Sequence, residues 1–184
     1  MVMLNVVYFH GYGSSANTPK VRVLRNSLNV PVFAFDANTD PEVAIKEVGF
    51  NIDMLLMEDL HAPIQTIFVG TSLGGWLASE MGARYGIPVI AINPSFDPKN
   101  SLKKYDVAEE ILNKYTAIKL SKKNAYFFAE HDSVIDNTVF RRGLIDQGYE
   151  VYIDSDADHQ YLGKSFDKVI EYIKKSYMVL PNSI

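Results

Sequence analysis

Short apolar runs alternate along the chain with segments whose apolar residues recur at helical spacing. Six of these runs are rich in β-branched and aromatic residues and lack polar alternation, which is typical of strands buried on both faces. They are residues 6–9, 32–35, 66–69, 89–92, 125–128 and 151–153. The pattern therefore predicts six strands in a sheet that is covered on both sides.

Helix signals lie between these runs. Thr18-Pro19 and Asp40-Pro41 each place a capping side chain before a proline, whose φ is already helical and which is tolerated in the first turn. Apolar residues at helical spacing follow residue 40 and predict the second helix. Further helices are predicted over residues 73–84, 139–146 and 166–177.

Residues 95–123 are more polar than the rest of the chain. We expect them to form a short excursion over the sheet edge, a mini-lid with one helix around residues 107–115. Elsewhere strands and helices alternate, which implies right-handed crossovers and a mostly parallel sheet. The predicted architecture is therefore an α/β fold, with residues 1–184 forming a single domain.

Composition narrows the class of protein. The chain has 184 residues, 18 Lys and Arg against 22 Asp and Glu, and no Cys. The absence of cysteine excludes disulfides, thiolate zinc sites and a cysteine nucleophile. A net charge of −4 gives no general attraction to nucleic acid or to anionic lipid, so neither is an expected partner. No basic start and no apolar run long enough to span a membrane are seen, so we expect a cytoplasmic protein.

Polar residues follow four of the predicted strands. In parallel sheets ligands bind at the carboxyl ends of the strands, so these residues are the candidates for function. A serine follows the third strand, an aspartate the fifth and a histidine the sixth, which is the chain order of the α/β-hydrolase triad. The segments are residues 10–15, 70–75, 130–132 and 154–159.

Residues 70–74 read GTSLG and match the G-x-S-x-G nucleophile elbow, in which the serine occupies a strained turn between a strand and a helix. Ser72 is therefore the candidate nucleophile. His159 is the candidate general base because it is the only histidine downstream of the aspartate. For the other histidines we expect structural roles: His10 shapes its loop, His61 ends the second helix, and His131 points away.

Asp132 is the candidate for the acid that orients His159. It lies three or four residues beyond the fifth strand, and the chain between it and His159 is long enough for one helix and one strand. Asp136 is the alternative, because a turn of slightly different length would present it instead.

The loop after the first strand is the candidate for the remaining parts of the site. Acyl transfer needs donors for an oxyanion, and we expect these to be the backbone N–H groups of Tyr12 and Leu73. His10, Gly11, Tyr12 and Phe96 are the predicted substrate-binding residues. Neither a metal-binding motif nor a complete dinucleotide fingerprint is present, so no metal and no cofactor are expected.

Taken together, these motifs resemble those of the YqiA/YcfP-like small bacterial esterases, a compact branch of the α/β hydrolases. The resemblance covers nearly the whole chain and implies the strand order 2-1-3-4-5-6. It also implies hydrolysis of carboxylic esters, and of acyl thioesters as an extension, without metal or organic cofactor. Departures from the family pattern fall at Thr71, His131 and Asp158. The motifs that carry the resemblance are residues 10–15 with Lys20, 70–76, 93–94, 132–136 and 158–159.

The sequence thus predicts a serine hydrolase that acts on small-molecule esters with small to medium acyl groups through a Ser-His-Asp triad. Two alternatives stay open. A protein with this fold can bind a ligand without catalysing a reaction, and the same triad also serves serine peptidases and amidases.

Overall fold

Six parallel strands form one sheet in a computed structural model that describes residues 3–58 and 64–178. The strand order is β2-β1-β3-β4-β5-β6, and every neighbouring pair is parallel. These findings confirm the predictions of a mostly parallel sheet and of the strand order 2-1-3-4-5-6. The strands are β1 (Met3–Phe9), β2 (Val32–Ala34), β3 (Ile64–Thr71), β4 (Val89–Ile92), β5 (Ala125–Ala129) and β6 (Glu150–Asp154).

The described residues contain seven α-helices, of which the first six lie between strands and the seventh follows the last strand, and two further short helices are of other types. The α-helices are α1 (Pro19–Leu28), α2 (Pro41–Glu58), α3 (Leu73–Tyr85), α4 (Pro98–Ser101), α5 (Glu109–Leu112), α6 (Thr138–Asp146) and α7 (Lys164–Ile173). Residues Lys103–Tyr105 form a 3₁₀ turn, and α7 continues into a π-helix over Lys174–Met178. Among the described residues, no helix combines the length and the apolar character that crossing a membrane requires.

The first two helices begin where the capping residues predict. The Thr18 hydroxyl accepts a hydrogen bond from the Val21 N–H at 3.4 Å. The Asp40 carboxylate accepts bonds from the backbone of Glu42 at 3.0 Å and of Val43 at 3.4 Å. These contacts satisfy N–H groups that have no partner within the helix, so each cap fixes where its helix starts.

The core lies on both faces of the sheet because successive side chains of a strand point in opposite directions. In β1, Val7 and Phe9 pack with residues of α2, α3 and α6, whereas Val6 and Tyr8 pack with residues of α1 and α7. These four side chains are at most 3 % exposed. Burial on both faces explains why the central strands appear in the sequence as continuous apolar runs.

Residues 95–123 contain two short helices, α4 and α5, and the 3₁₀ turn, in place of the one longer helix predicted around residues 107–115. Their position depends on packing: Leu102, Leu112 and Tyr115 are buried in the same cluster as α2 and α3. The Trp76 indole N–H also donates to the Thr116 carbonyl oxygen at 2.9 Å. This segment is thereby fixed above the carboxyl end of β3.

Candidate active site

The carboxyl ends of the strands bring the predicted serine and histidine to the wall of one cavity of about 280 Å³. Ser72 follows β3 and His159 follows β6. Residues of the loop after β1, including Gly11 and Tyr12, also line this cavity. Residues that are far apart in the sequence are thus brought together by the topology of the sheet.

Ser72 occupies a strained turn between β3 and α3. Its φ of 57° and ψ of −122° lie in a region that residues other than glycine rarely adopt. Backbone contacts hold it there: the Ser72 N–H donates to Ile92 at 2.9 Å, and its carbonyl accepts from Gly75 at 2.9 Å and Ser95 at 3.0 Å. This is the geometry of a nucleophile elbow, which exposes the side chain at the end of a strand.

Gly74 is required by the close approach of α3 to the end of β1. A Cβ atom at this position would overlap the backbone carbonyl oxygens of Phe9 and His10. We therefore expect Gly74→Ala to lower the free energy of unfolding by about 3 kcal/mol or more, because backbone cannot move aside as a flexible side chain can. Urea denaturation would measure this loss.

Gly143 offers a matched control, since it lies in α6 with open space where a Cβ would stand. Gly143→Ala should raise the free energy of unfolding by about 0.5–1 kcal/mol through helix propensity. Equal stability of the two variants would contradict the close packing described for Gly74.

His159 and Asp132 form a short hydrogen bond, with 2.7 Å between Nδ1 and Oδ2. Both side chains are nearly inaccessible, at 10 % and 5 % exposure. The other carboxylate oxygen, Oδ1, accepts from the backbone N–H groups of Val134 at 2.8 Å and Ile135 at 3.0 Å. With Nδ1 donating to the carboxylate, Nε2 of the imidazole is left to accept a proton.

The ionised form of Asp132 is favoured by these contacts. Burial raises its pKa, but the hydrogen bond from His159 and the two from the backbone together lower the pKa below its ordinary value. A carboxylate that stays charged holds the imidazole in one tautomer and one orientation.

Asn93 positions the backbone of His159. It is fully buried with φ at 41°, and its amide donates to the carbonyl oxygens of Asp158 and His159, both at 3.1 Å. Its side-chain oxygen accepts from the Ala129 N–H at 2.8 Å. Asn93 thus links β4, β5 and the histidine loop. Two features of the sequence single out Asn93, its place after the fourth strand and the motif at residues 93–94 in the family resemblance, but neither specifies this role.

The alternative acid, Asp136, is exposed and accepts from the Thr138 N–H at 3.0 Å. His131 is also exposed, and His61 lies outside the described residues.

His10 is buried and holds its loop: Nδ1 donates to the Gly11 carbonyl at 2.9 Å and Nε2 accepts from the Ala37 N–H at 3.1 Å.

The two predicted oxyanion donors belong to two segments that meet at Ser72. Leu73 is the first residue of α3, and Tyr12 lies in the loop after β1. That loop packs directly on the elbow, since a Cβ on Gly11 would stand 3.3 Å from the Ser72 Cβ. None of the hydrogen bonds among the described residues uses the Tyr12 or Leu73 N–H.

Phe96, predicted to bind substrate, does not line the cavity that holds Ser72 but lines a neighbouring cavity, together with Ser101 and Lys104. It is buried in an aromatic stack, with ring centroids 4.7 Å from Phe140 and 6.0 Å from Phe128. His10 is also absent from this wall, and it lines a neighbouring cavity together with Tyr12 and Leu73. An apolar ring gains more from burial in such a stack than from lining an open cleft.

The cavity wall beside Tyr12 comes from the segment that was predicted as a mini-lid. Tyr105 lies against Tyr12, with 4.9 Å between the ring centroids, and Leu102 and Lys104 line the cavity beside it. Lys20 lines it from the start of α1. None of these residues belongs to a recognisable catalytic motif, although Lys20 contributes to the family resemblance.

Within the described residues, the Ser72 hydroxyl forms no hydrogen bond with the His159 imidazole. Catalytic hydrogen bonds are often long or poorly aligned before substrate binds and tighten in the complex. The part of the chain that the structure describes also contains no cluster of three or more His, Asp or Glu side chains arranged to hold a metal ion.

Comparison with known proteins shows to which family the chain belongs. The model of the Uncharacterised protein family (UPF0227) matches residues 5–139, which include Ser72 and Asp132. A UPF0227 protein of Shewanella woodyi is 28 % identical over 169 residues, covering 85 % of this chain and 90 % of the relative.

Solved structures share the fold at low identity. An α/β serine hydrolase without a lid from Xanthomonas campestris has a TM-score of 0.73 at 11 % identity, covering 98 % of this chain and 86 % of its own. An esterase from Pyrobaculum calidifontis has a TM-score of 0.64 at 18 % identity, covering 95 % of this chain and 76 % of its own. The chain therefore has the α/β-hydrolase fold and belongs to the UPF0227 family, which confirms the resemblance drawn from its motifs.

Proposed function

We propose that the protein is a serine hydrolase that cleaves carboxylic esters, and acyl thioesters as a related class, through an acyl-enzyme. The observation that carries the proposal is the 2.7 Å bond between His159 Nδ1 and Asp132, on a cavity that Ser72 also lines. A strained serine, an oriented histidine and a buried carboxylate at one sheet edge are the groups that acyl transfer needs.

In the proposed mechanism, Ser72 Oγ attacks the ester carbonyl carbon while His159 Nε2 accepts the hydroxyl proton. Asp132 stabilises the imidazolium that forms. The N–H groups of Tyr12 and Leu73 donate to the oxyanion, a contribution that is often the largest in such reactions. Collapse of the intermediate breaks the bond to the leaving alcohol or thiol, which takes the proton from His159.

Water then completes the cycle. It attacks the acyl-enzyme, transferring its proton to His159 as general base, and the free acid leaves as Ser72 regains its proton. The cavity of about 280 Å³ supports the expectation of small to medium acyl groups, because sites for drug-sized ligands start near 300 Å³.

A fluorophosphonate probe tests the proposal against the alternative of a binding protein without catalytic activity. The probe reacts covalently with activated serines, so we expect it to label the protein at Ser72, as identified by peptide mass spectrometry. Ser133→Ala, which removes an exposed hydroxyl beside Asp132, should label as the unmodified protein does. A folded protein that stays unlabelled, or is labelled elsewhere, would rule out the proposed nucleophile.

A further inference from the structure

Lys20 is a buried cation without a close partner. It follows Pro19 in the first turn of α1, and its residue is only 5 % exposed. No hydrogen bond or ion pair among the described residues involves its ammonium group. A buried charge that lacks compensation is costly, so its presence calls for a reason.

The surroundings of Lys20 do not explain why its charge is buried. Its Nζ stands 6.0 Å from the centre of the Phe166 ring, at the outer limit of a favourable cation–π contact. Asp158 acts on Lys20 through its charge alone, without an ion pair, and one of its carboxylate oxygens accepts from the Tyr161 N–H at 3.0 Å. Burial lowers the pKa of Lys20 to about 8, and the charge of Asp158 opposes this shift. The group is thus mostly charged at neutral pH.

Lys20 lines the same cavity as Ser72 and His159. Lys104 is a second cation on the wall, tied to the Val134 carbonyl oxygen through its ammonium group. No aspartate or glutamate is among the described residues that line the cavity. A cavity with positive charge in a chain of net charge −4 attracts anions.

We infer that Lys20 binds an anionic group of the substrate, so that the preferred substrates are esters that carry a negative charge. The inference rests on the proposed hydrolase function and adds the class of ester. The charged group can belong to the acyl part or to the leaving alcohol. In both cases an ammonium with no other partner would gain a charge-assisted hydrogen bond.

Two matched pairs of esters separate these cases. Mono-p-nitrophenyl adipate and p-nitrophenyl hexanoate have acyl chains of equal length, and only the first is anionic. 4-Acetoxybenzoate and phenyl acetate differ in a carboxylate on the leaving group. The quantity measured is the ratio of kcat/KM for the anionic ester to that for the neutral ester in each pair.

Lys20→Gln should lower this ratio at least fivefold in one pair or the other, and Lys20→Arg should restore part of it. Lys46→Gln is the matched control, because it removes the same charge from the exposed surface of α2 and should leave both ratios unchanged. A change below fivefold in both pairs would overturn the inference.

The unmodified protein provides a test that does not depend on folding of the variants. Adipate or 4-hydroxybenzoate should inhibit at least five times more strongly than its neutral counterpart, 1,6-hexanediol or phenol. If neither does, Lys20 does not select anions. Failure of the hydrolase proposal would be distinguishable from failure of this inference. In that case no ester would be turned over and Ser72 would stay unlabelled by fluorophosphonate.

Discussion

Replacing Ser72 with alanine is expected to lower kcat for a short-chain aryl ester such as p-nitrophenyl butyrate on the order of 10⁶-fold. The change removes the oxygen that forms the acyl-enzyme and keeps the β-carbon of the elbow. What activity remains should come from the oxyanion donors and from substrate binding, which do not need the nucleophile. Steady-state kinetics on purified protein would measure the loss.

The stability of this variant is its control. Ser72 is held by its backbone contacts with Ile92, Gly75 and Ser95, which alanine retains, so the melting temperature should change little. A folded Ser72→Ala protein that kept more than about one hundredth of the activity would contradict the loss expected for a nucleophile and thereby exclude the mechanism.

The sheet could be predicted because its central strands are buried on both faces. Runs such as residues 89–92 have no polar position, and the observed β4 has the same bounds. The ends of the strands were harder to predict. β1 begins at Met3, before the predicted run 6–9, and β3 continues to Thr71, beyond the predicted run 66–69. These extra residues belong to the strands because they pair with neighbouring strands, and such pairing over a distance leaves no local pattern.

The residues of the candidate site also differ in whether the sequence alone could predict their positions. Ser72 and His159 follow strands in a known chain order. The rule that ligands bind at the carboxyl ends of parallel strands was therefore enough to place both residues at the same end of the sheet. The sequence does not reveal that Phe96 stacks on Phe140, because that partner comes from a distant helix. The burial of Lys20 depends in the same way on packing near Phe166. Contacts of this kind arise only when the elements pack together.

The choice between Asp132 and Asp136 depended on the turn after β5, which sequence patterns do not resolve. Two backbone N–H groups, from Val134 and Ile135, bind Asp132 Oδ1 and so turn Oδ2 toward His159. These donors belong to the backbone and are invisible in a list of side chains.

The same two donors lead to a strong prediction for Asp132→Asn. The N–H groups of Val134 and Ile135 will hold the amide oxygen at the Oδ1 position, so the NH₂ group must face Nδ1 of His159. The imidazole then has to accept at Nδ1 and carry its hydrogen on Nε2, where it cannot take the proton of Ser72. We expect kcat for p-nitrophenyl butyrate to fall by about 10⁴-fold, as in other triads whose histidine is held in the wrong tautomer.

Asp136→Asn is the matched control, because it makes the same chemical change four residues away, on an exposed side chain that contacts Thr138. Its kcat should stay within about twofold of the unmodified protein, since surface changes away from such features have small effects. If instead Asp136→Asn lost activity and Asp132→Asn kept it, the orienting acid would be Asp136. The short bond between His159 and Asp132 would then have only a structural role, and the turn after β5 would have to present a different carboxylate during catalysis.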